Sequence, residues 1–203
     1  MNSTEENKLT KSTILKLNNK KFSLIEEFSH GHASQIFLVK DSKGKIFKLK
    51  KEKAKSTRIN MVQKEASNLK KANSIGVGPK LIDFNESEHW VLMEFIKGKL
   101  FCDFISNEPS KKELLKVLNA LFQQAKKLDE IDLDHGQLAG RGANILVTPQ
   151  LKPVIIDFEK ASQKRKPHNL NVLKSMLFIR NSEMGITVRS ILGEKELEKL
   201  SKF

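Results

Sequence analysis

Asp134-His135-Gly136-Gln137-Leu138, Asn144-Ile145-Leu146-Val147 and Val154-Ile155-Ile156-Asp157-Phe158-Glu159 follow one another near the C-terminal third of the chain. The second and third stretches are short, rich in β-branched residues and separated by Thr148-Pro149, so they read as two strands joined by a turn. Such a hairpin brings the Asn144 amide and the Asp157 carboxylate together. Both offer hard oxygen ligands, which suit Mg²⁺ held beside substrate phosphates.

The 203 residues suffice for one sizeable domain or two small lobes. Hydrophobic residues make up 38% and charged residues 30% of the chain, the balance of a soluble globular protein. No stretch approaches the ~20 apolar residues of a membrane span. Residues 1–21 read as a basic tail without the apolar core of a signal peptide, and the single cysteine, Cys102, has no partner for an intrachain disulfide. A cytoplasmic location is expected, with no membrane partner. The formal charge of +13, from 37 Lys and Arg against 24 Asp and Glu, attracts polyanions and makes RNA or a ribonucleoprotein a candidate partner. Its lysines are scattered, however, and no recognisable RNA-binding motif accompanies them, so a role in solubility explains the same excess.

Outward from the motif, the N-terminal half reads as five strands and one helix. Strands are expected at 22–28, 35–40, 45–51, 80–84 and 89–95, with turns at Ser29 to Ser34 and at Asp41-Ser42-Lys43-Gly44. Between the third and fourth strands, Ile59, Val62, Ala66 and Leu69 recur at helical spacing with Glu65 beside them, and Gly76-Val77-Gly78-Pro79 ends that helix. Further on, Ser110 and Glu113 form a capping box before the stripe Leu114, Leu118, Leu121, Ala125 and Leu128. Two more helices are expected, around Asn169 to Arg180 and near Glu194 to Leu200.

This order of parts resembles the protein-kinase-like superfamily over Phe22 to about Ser162: a small-residue hairpin loop, a strand lysine, a helix glutamate, an apolar strand ending in Met93-Glu94, the His135 loop, Asn144 and Asp157-Phe158. Closer still, Gly76 to Leu81, Met93 to Gly98 and Ile156 to Ser162 resemble small predicted archaeal serine/threonine protein kinases, a group similar to the RIO kinases and to the small kinase of the KEOPS tRNA-modification complex. His135-Gly136 and Asp157-Phe158-Glu159 also occur in aminoglycoside and choline phosphotransferases.

The resemblance implies an α+β, minimal two-lobed kinase-like fold, with a five-stranded N-lobe over residues 22–96 and a truncated helical C-lobe over 97–203. ATP and Mg²⁺ are the implied cofactors. Gly31 and Ile36 belong to the loop and strand expected at the nucleotide; Met93 would border adenine, and the backbone of Glu94 and Ile96 would bond the base. A strand lysine paired with Glu65 would contact phosphate. Alternation puts Ile46, Lys48 and Lys50 on one face, and the residue two before this lysine packs on adenine in the family, which favours Lys48 over Lys50 because Ile46 suits that place. Asn144 and Asp157 would hold the metal.

Three departures qualify the likeness. Gln137 stands where the catalytic base is found, and an amide orients a hydroxyl but takes no proton; Asp134 and Asp132 are the candidates to replace it. Ala139 to Ala143 lengthens the loop before Asn144. After Glu159 too little chain remains for the helical platform on which larger kinases seat peptides. The expected function is an atypical serine/threonine kinase acting on an unknown protein substrate. A nucleotide-binding pseudokinase or switch on an RNA-linked complex, and a small-molecule phosphotransferase, are the alternatives.

Overall fold

Alternation along the N-terminal strands sorts their side chains onto two faces. The structure, a computed structural model, describes residues 13–30, 34–53 and 61–203 and divides into two units, residues 1–63 with 81–95 and residues 64–80 with 96–203. In the first unit β1 (Ile14–Leu17), β2 (Lys20–His30), β3 (Ser34–Lys40), β4 (Ile46–Glu52), β5 (Leu81–Asn85) and β6 (Trp90–Glu94) form an antiparallel sheet in the order β1-β2-β3-β4-β6-β5. Phe22, Leu24, Phe37, Val39, Phe47, Leu49, Trp90 and Leu92 share one buried cluster, in which the Phe22 and Phe47 rings meet edge to face with centroids 5.9 Å apart. Burial of such aromatic and branched side chains contributes ~1.5–3 kcal/mol each.

The sheet has six strands rather than the expected five. The additional one, β1, lies inside the stretch read as a basic tail, and its Leu17 joins the core. Asn18 and Asn19 sit at φ 42° and 66° and form the two-residue turn into β2; asparagine tolerates this left-handed geometry, which matches the twist of hairpin strands. The lysines around β1 concealed a short alternating strand.

The second unit is built around helices. Helix α1 (Met61–Ser74) runs into it from the end of the first unit's opening segment, and α2 (Phe101–Ser106), α3 (Lys111–Glu130), α4 (Asn169–Lys174), α5 (Glu183–Leu192) and α6 (Glu194–Ser201) follow. The capping box of α3 is present: Ser110 Oγ accepts from the Glu113 N–H at 3.3 Å, and Glu113 Oε2 accepts from the Ser110 N–H at 2.9 Å. The expected stripe is buried together with Val117 and Phe122. Where one helix was expected from Asn169, α4 passes into a π-helical turn, Ser175–Ile179, whose Phe178 meets Phe122 edge to face. Helix α5 was not anticipated. A small sheet, β7 (Lys99–Leu100), β8 (Ile145–Val147) and β9 (Pro153–Ile155), contains the hairpin expected around Thr148-Pro149. Among the described residues no helix is long and apolar enough to cross a membrane.

One buried polar residue ties these parts together. Asn169, 1% exposed, accepts from the His135 N–H at 2.9 Å and donates through its amide to Asp129 Oδ1 and the Leu133 carbonyl, both at 2.8 Å. Asp129, near the end of α3, also accepts the backbone N–H groups of Asn169 and Leu170 at the start of α4. Truncating Asn169 strands several buried groups at once. Asn169→Ala is expected to lower unfolding stability by ~3 kcal/mol, measured by urea denaturation, and Asn169→Asp to lower it further because a second carboxylate would face Asp129.

Candidate active site

Backbone pairing brings the ends of the β8–β9 hairpin to one another. In the antiparallel pair of β8 and β9, Ile145 lies opposite Ile155, and the Ile156 N–H donates to the Asn144 carbonyl at 2.9 Å. Asp157 is thus the next residue along from Asn144's backbone partner. It adopts φ 68° and ψ 67° and leads into a 3-10 turn, Phe158–Lys160. Asn144 Nδ2 donates to the Gln137 carbonyl at 3.0 Å, which turns the amide nitrogen toward the Gln137 loop, so the oxygen is the end of this amide that could ligate a metal. The Gly140 N–H donates to the same carbonyl at 3.2 Å. The side chain of Gln137 itself has a buried Oε1 with no hydrogen-bond partner among the described residues.

Helix α1 contributes to this group from far away in sequence. Asn68, on α1, donates to the carbonyls of Phe158 at 3.1 Å and Ala161 at 2.7 Å. Gly78, at φ +81°, lies so close that a Cβ there would stand 2.8 Å from the Phe158 ring, so only glycine admits that approach. One turn before Asn68 comes Glu65, whose side chain is 2% exposed. Carboxylate oxygens of Glu65, Asp157 and Glu159 all lie within 4.8 Å of one another. Three hard-oxygen donors at this spacing, together with the Asn144 amide on the same hairpin, fit Mg²⁺. From the sequence Glu65 is expected beside a strand lysine and Glu159 has no ligand role; the gathering of both at Asp157 depends on the docking of α1, which no local pattern reveals.

His135 is fully buried beneath the same turn. The Ile156 carbonyl can only accept, so Nε2 carries the proton and donates to it at 2.9 Å, while the ring meets Phe158 edge to face at 4.9 Å. Nδ1 has no partner among the described residues. Burial holds the imidazole below its ordinary value, against the opposing effects of the Ile156 carbonyl and the nearby Asp157 and Asp134 charges.

Residues 25–177 match the RIO domain family. The chain belongs to the RIO domain family. That places it in the protein-kinase-like superfamily, as the motif order implied. A protein of the archaeon Methanocaldococcus jannaschii, named "Uncharacterized protein MJ1211", is 34% identical over 113 residues, which cover 55% of this chain and 94% of that protein.

Within the RIO domain, the expected nucleotide residues divide between the units. Gly31 lies outside the described residues. In the first unit two rows cross the sheet on the face opposite the aromatic cluster: Ile36, Lys50 and Val91 in one, and Leu38, Lys48 and Met93 in the next. Lys50 is 6% exposed and Lys48 is half-buried, while Ile46, 41% exposed, sits beyond the last residue of β4 that pairs with β6. Met93 is buried at the end of β6, Glu94 is its half-buried last residue, and Ile96 opens the return segment of the second unit. Of the proposed base substitutes, Asp132 lies at φ 54° in the exposed turn after α3, and Asp134 pairs with Arg165.

The His135 environment yields a pH dependence whose direction is fixed. A depressed imidazole pKa means that the unfolded chain binds the extra proton first, so this contribution to stability is complete above the ordinary value of 6.5 and is lost as pH falls below it. The melting temperature is expected to fall between pH 8 and pH 5.5. His135→Gln, whose amide can still donate to the Ile156 carbonyl, should flatten that slope.

Proposed function

We propose that this RIO-domain protein is an ATP-dependent, atypical serine/threonine kinase that transfers phosphate to a protein hydroxyl. The observation carrying this reading is the hydrogen bond from Asn144 to the Gln137 carbonyl, since it links the loop that would present an acceptor to the hairpin that would hold the metal. Asp157 and the Asn144 amide, with Glu159 and Glu65 beside Asp157, would hold Mg²⁺. When bound, the ion would neutralise phosphate charge.

The phosphate-facing lysine is best assigned from the strand register. If Met93 borders adenine, then Lys48, directly across from it, lies level with the base. Lys50 is two residues farther along the strand, a step of ~6.6 Å toward the phosphates. Its burial also suits a cation held in place by fixed partners. These points support Lys50 over the sequence-based preference for Lys48, whose aliphatic stem then packs at the adenine. Lys50→Met should weaken MgATP binding more than Lys48→Met.

Gln137 orients the acceptor hydroxyl without accepting its proton, and a loose transition state tolerates the missing base at a cost in rate. Gln137→Asp is therefore expected to raise single-turnover phosphate transfer by tenfold or more, up to the ~10²–10⁴-fold that general-base catalysis supplies. No transfer by either protein, with nucleotide bound, would favour the second reading, a nucleotide-binding switch; the buried amide oxygen of Gln137 is the observation behind that alternative. Both readings require MgATP binding. At a hundredfold excess over Kd it should stabilise the protein by ~2.7 kcal/mol in thermal melts. Asp157→Ala should abolish most of that gain while leaving the unliganded protein folded.

A further inference from the structure

The loop carrying Gln137 is gripped by an arginine that the sequence motif does not include. Arg165 Nε donates to Asp134 Oδ2 at 2.6 Å, and Arg165 Nη2 donates to the Lys160 carbonyl at 2.6 Å and reaches the Asp134 carbonyl at 3.5 Å. The backbones of Asp134 and Ser162 are already paired, through N–H to carbonyl bonds of 3.0 and 2.8 Å. Between these contacts lies Gly136, at φ +76°. A Cβ there would stand 2.4 Å from Arg165 Nη2 and 3.0 Å from the Lys160 carbonyl. A side chain at position 136 and the Arg165 guanidinium therefore compete for one space, and the glycine cedes it.

We propose that Arg165 is the positioning residue of the acceptor-presenting loop, fixing Asp134 to Gln137 against the segment that leaves the metal turn. The proposal rests on the phosphotransfer reading for its functional meaning, though not for the grip itself. A planar guanidinium supplies donors in a fixed fork, so it can hold a carboxylate and a carbonyl on two different segments at once; an ammonium cannot reproduce that geometry. The same contact commits Asp134 Oδ2 to the guanidinium, which makes Asp134 a structural anion rather than a substitute base. Arg165 is half exposed, so its ion pair contributes little to global stability. Its effect is therefore local, and this separates positioning from support of the fold.

The test is hydrogen–deuterium exchange on the full chain, read alongside phosphate transfer from MgATP. Arg165→Ala should speed exchange of the amides at 135–143 by about tenfold while leaving the buried amides of α3 unchanged. Gly136→Ala, by displacing the guanidinium, should give the same local pattern, and adding Arg165→Ala to it should change exchange little further. Transfer should fall in kcat with the KM for ATP unchanged, and Arg165→Lys should recover only part of it. Unchanged exchange at 135–143 in Arg165→Ala, or faster exchange spread equally through α3, would overturn the assignment. If wild type transfers no phosphate but the local exchange pattern is found, the kinase reading fails while the Arg165 grip stands.

Discussion

The buried carboxamide of Asn169 is the constraint on which the second unit depends. It joins the end of α3, the start of α4 and the backbone of His135 within one hydrogen-bonded group, and each of those elements would otherwise bring unpaired polar groups into an apolar interior. An amide is well suited to this place because it donates and accepts at once, serving a carbonyl, a carboxylate and an N–H together. With residues 133–135 fixed from below, His135 can hold the Ile156 carbonyl and the Phe158 ring from the other side. The path from α3 to the Phe158–Lys160 turn is therefore a chain of direct contacts.

Much of this arrangement was legible in local patterns. The capping box at Ser110, the stripe of α3, the two strands around Thr148-Pro149 and the alternation of β4 all arise from interactions between residues close in the chain. For the same reason the motif order was sufficient to identify the superfamily. Long-range pairings were hidden. Nothing near Asn169 announces that it will accept from His135, and nothing near Glu159 shows that Glu65 will lie beside it. In β1 the difficulty was different, because a short strand flanked by lysines has the composition of a tail, and only the Asn18-Asn19 turn marks it.

The strand lysines show how a physical choice can turn on register. Sequence alternation puts Ile46, Lys48 and Lys50 on one face, and in the structure Lys48 and Lys50 lie opposite the aromatic cluster, but alternation cannot say how far along that face each one lies. Pairing with β6 supplies the missing coordinate. Likewise, Gln137 looks from the sequence like a lost acid, whereas its backbone carbonyl still accepts from Asn144.

The bonds from Asn68 to the Phe158 and Ala161 carbonyls also bear on how the chain is made. Residues 64–80 belong with 96–203, while 81–95 return to complete the first sheet, so the two units are interleaved in the sequence. Neither can be excised as one continuous fragment. As the polypeptide leaves the ribosome, the first sheet can be completed when residue 95 has emerged, but the helix bearing Asn68 must wait for partners ninety residues farther on. Closing so long a loop has an entropic cost that grows only slowly with length, so the interleaving delays assembly more than it destabilises the product.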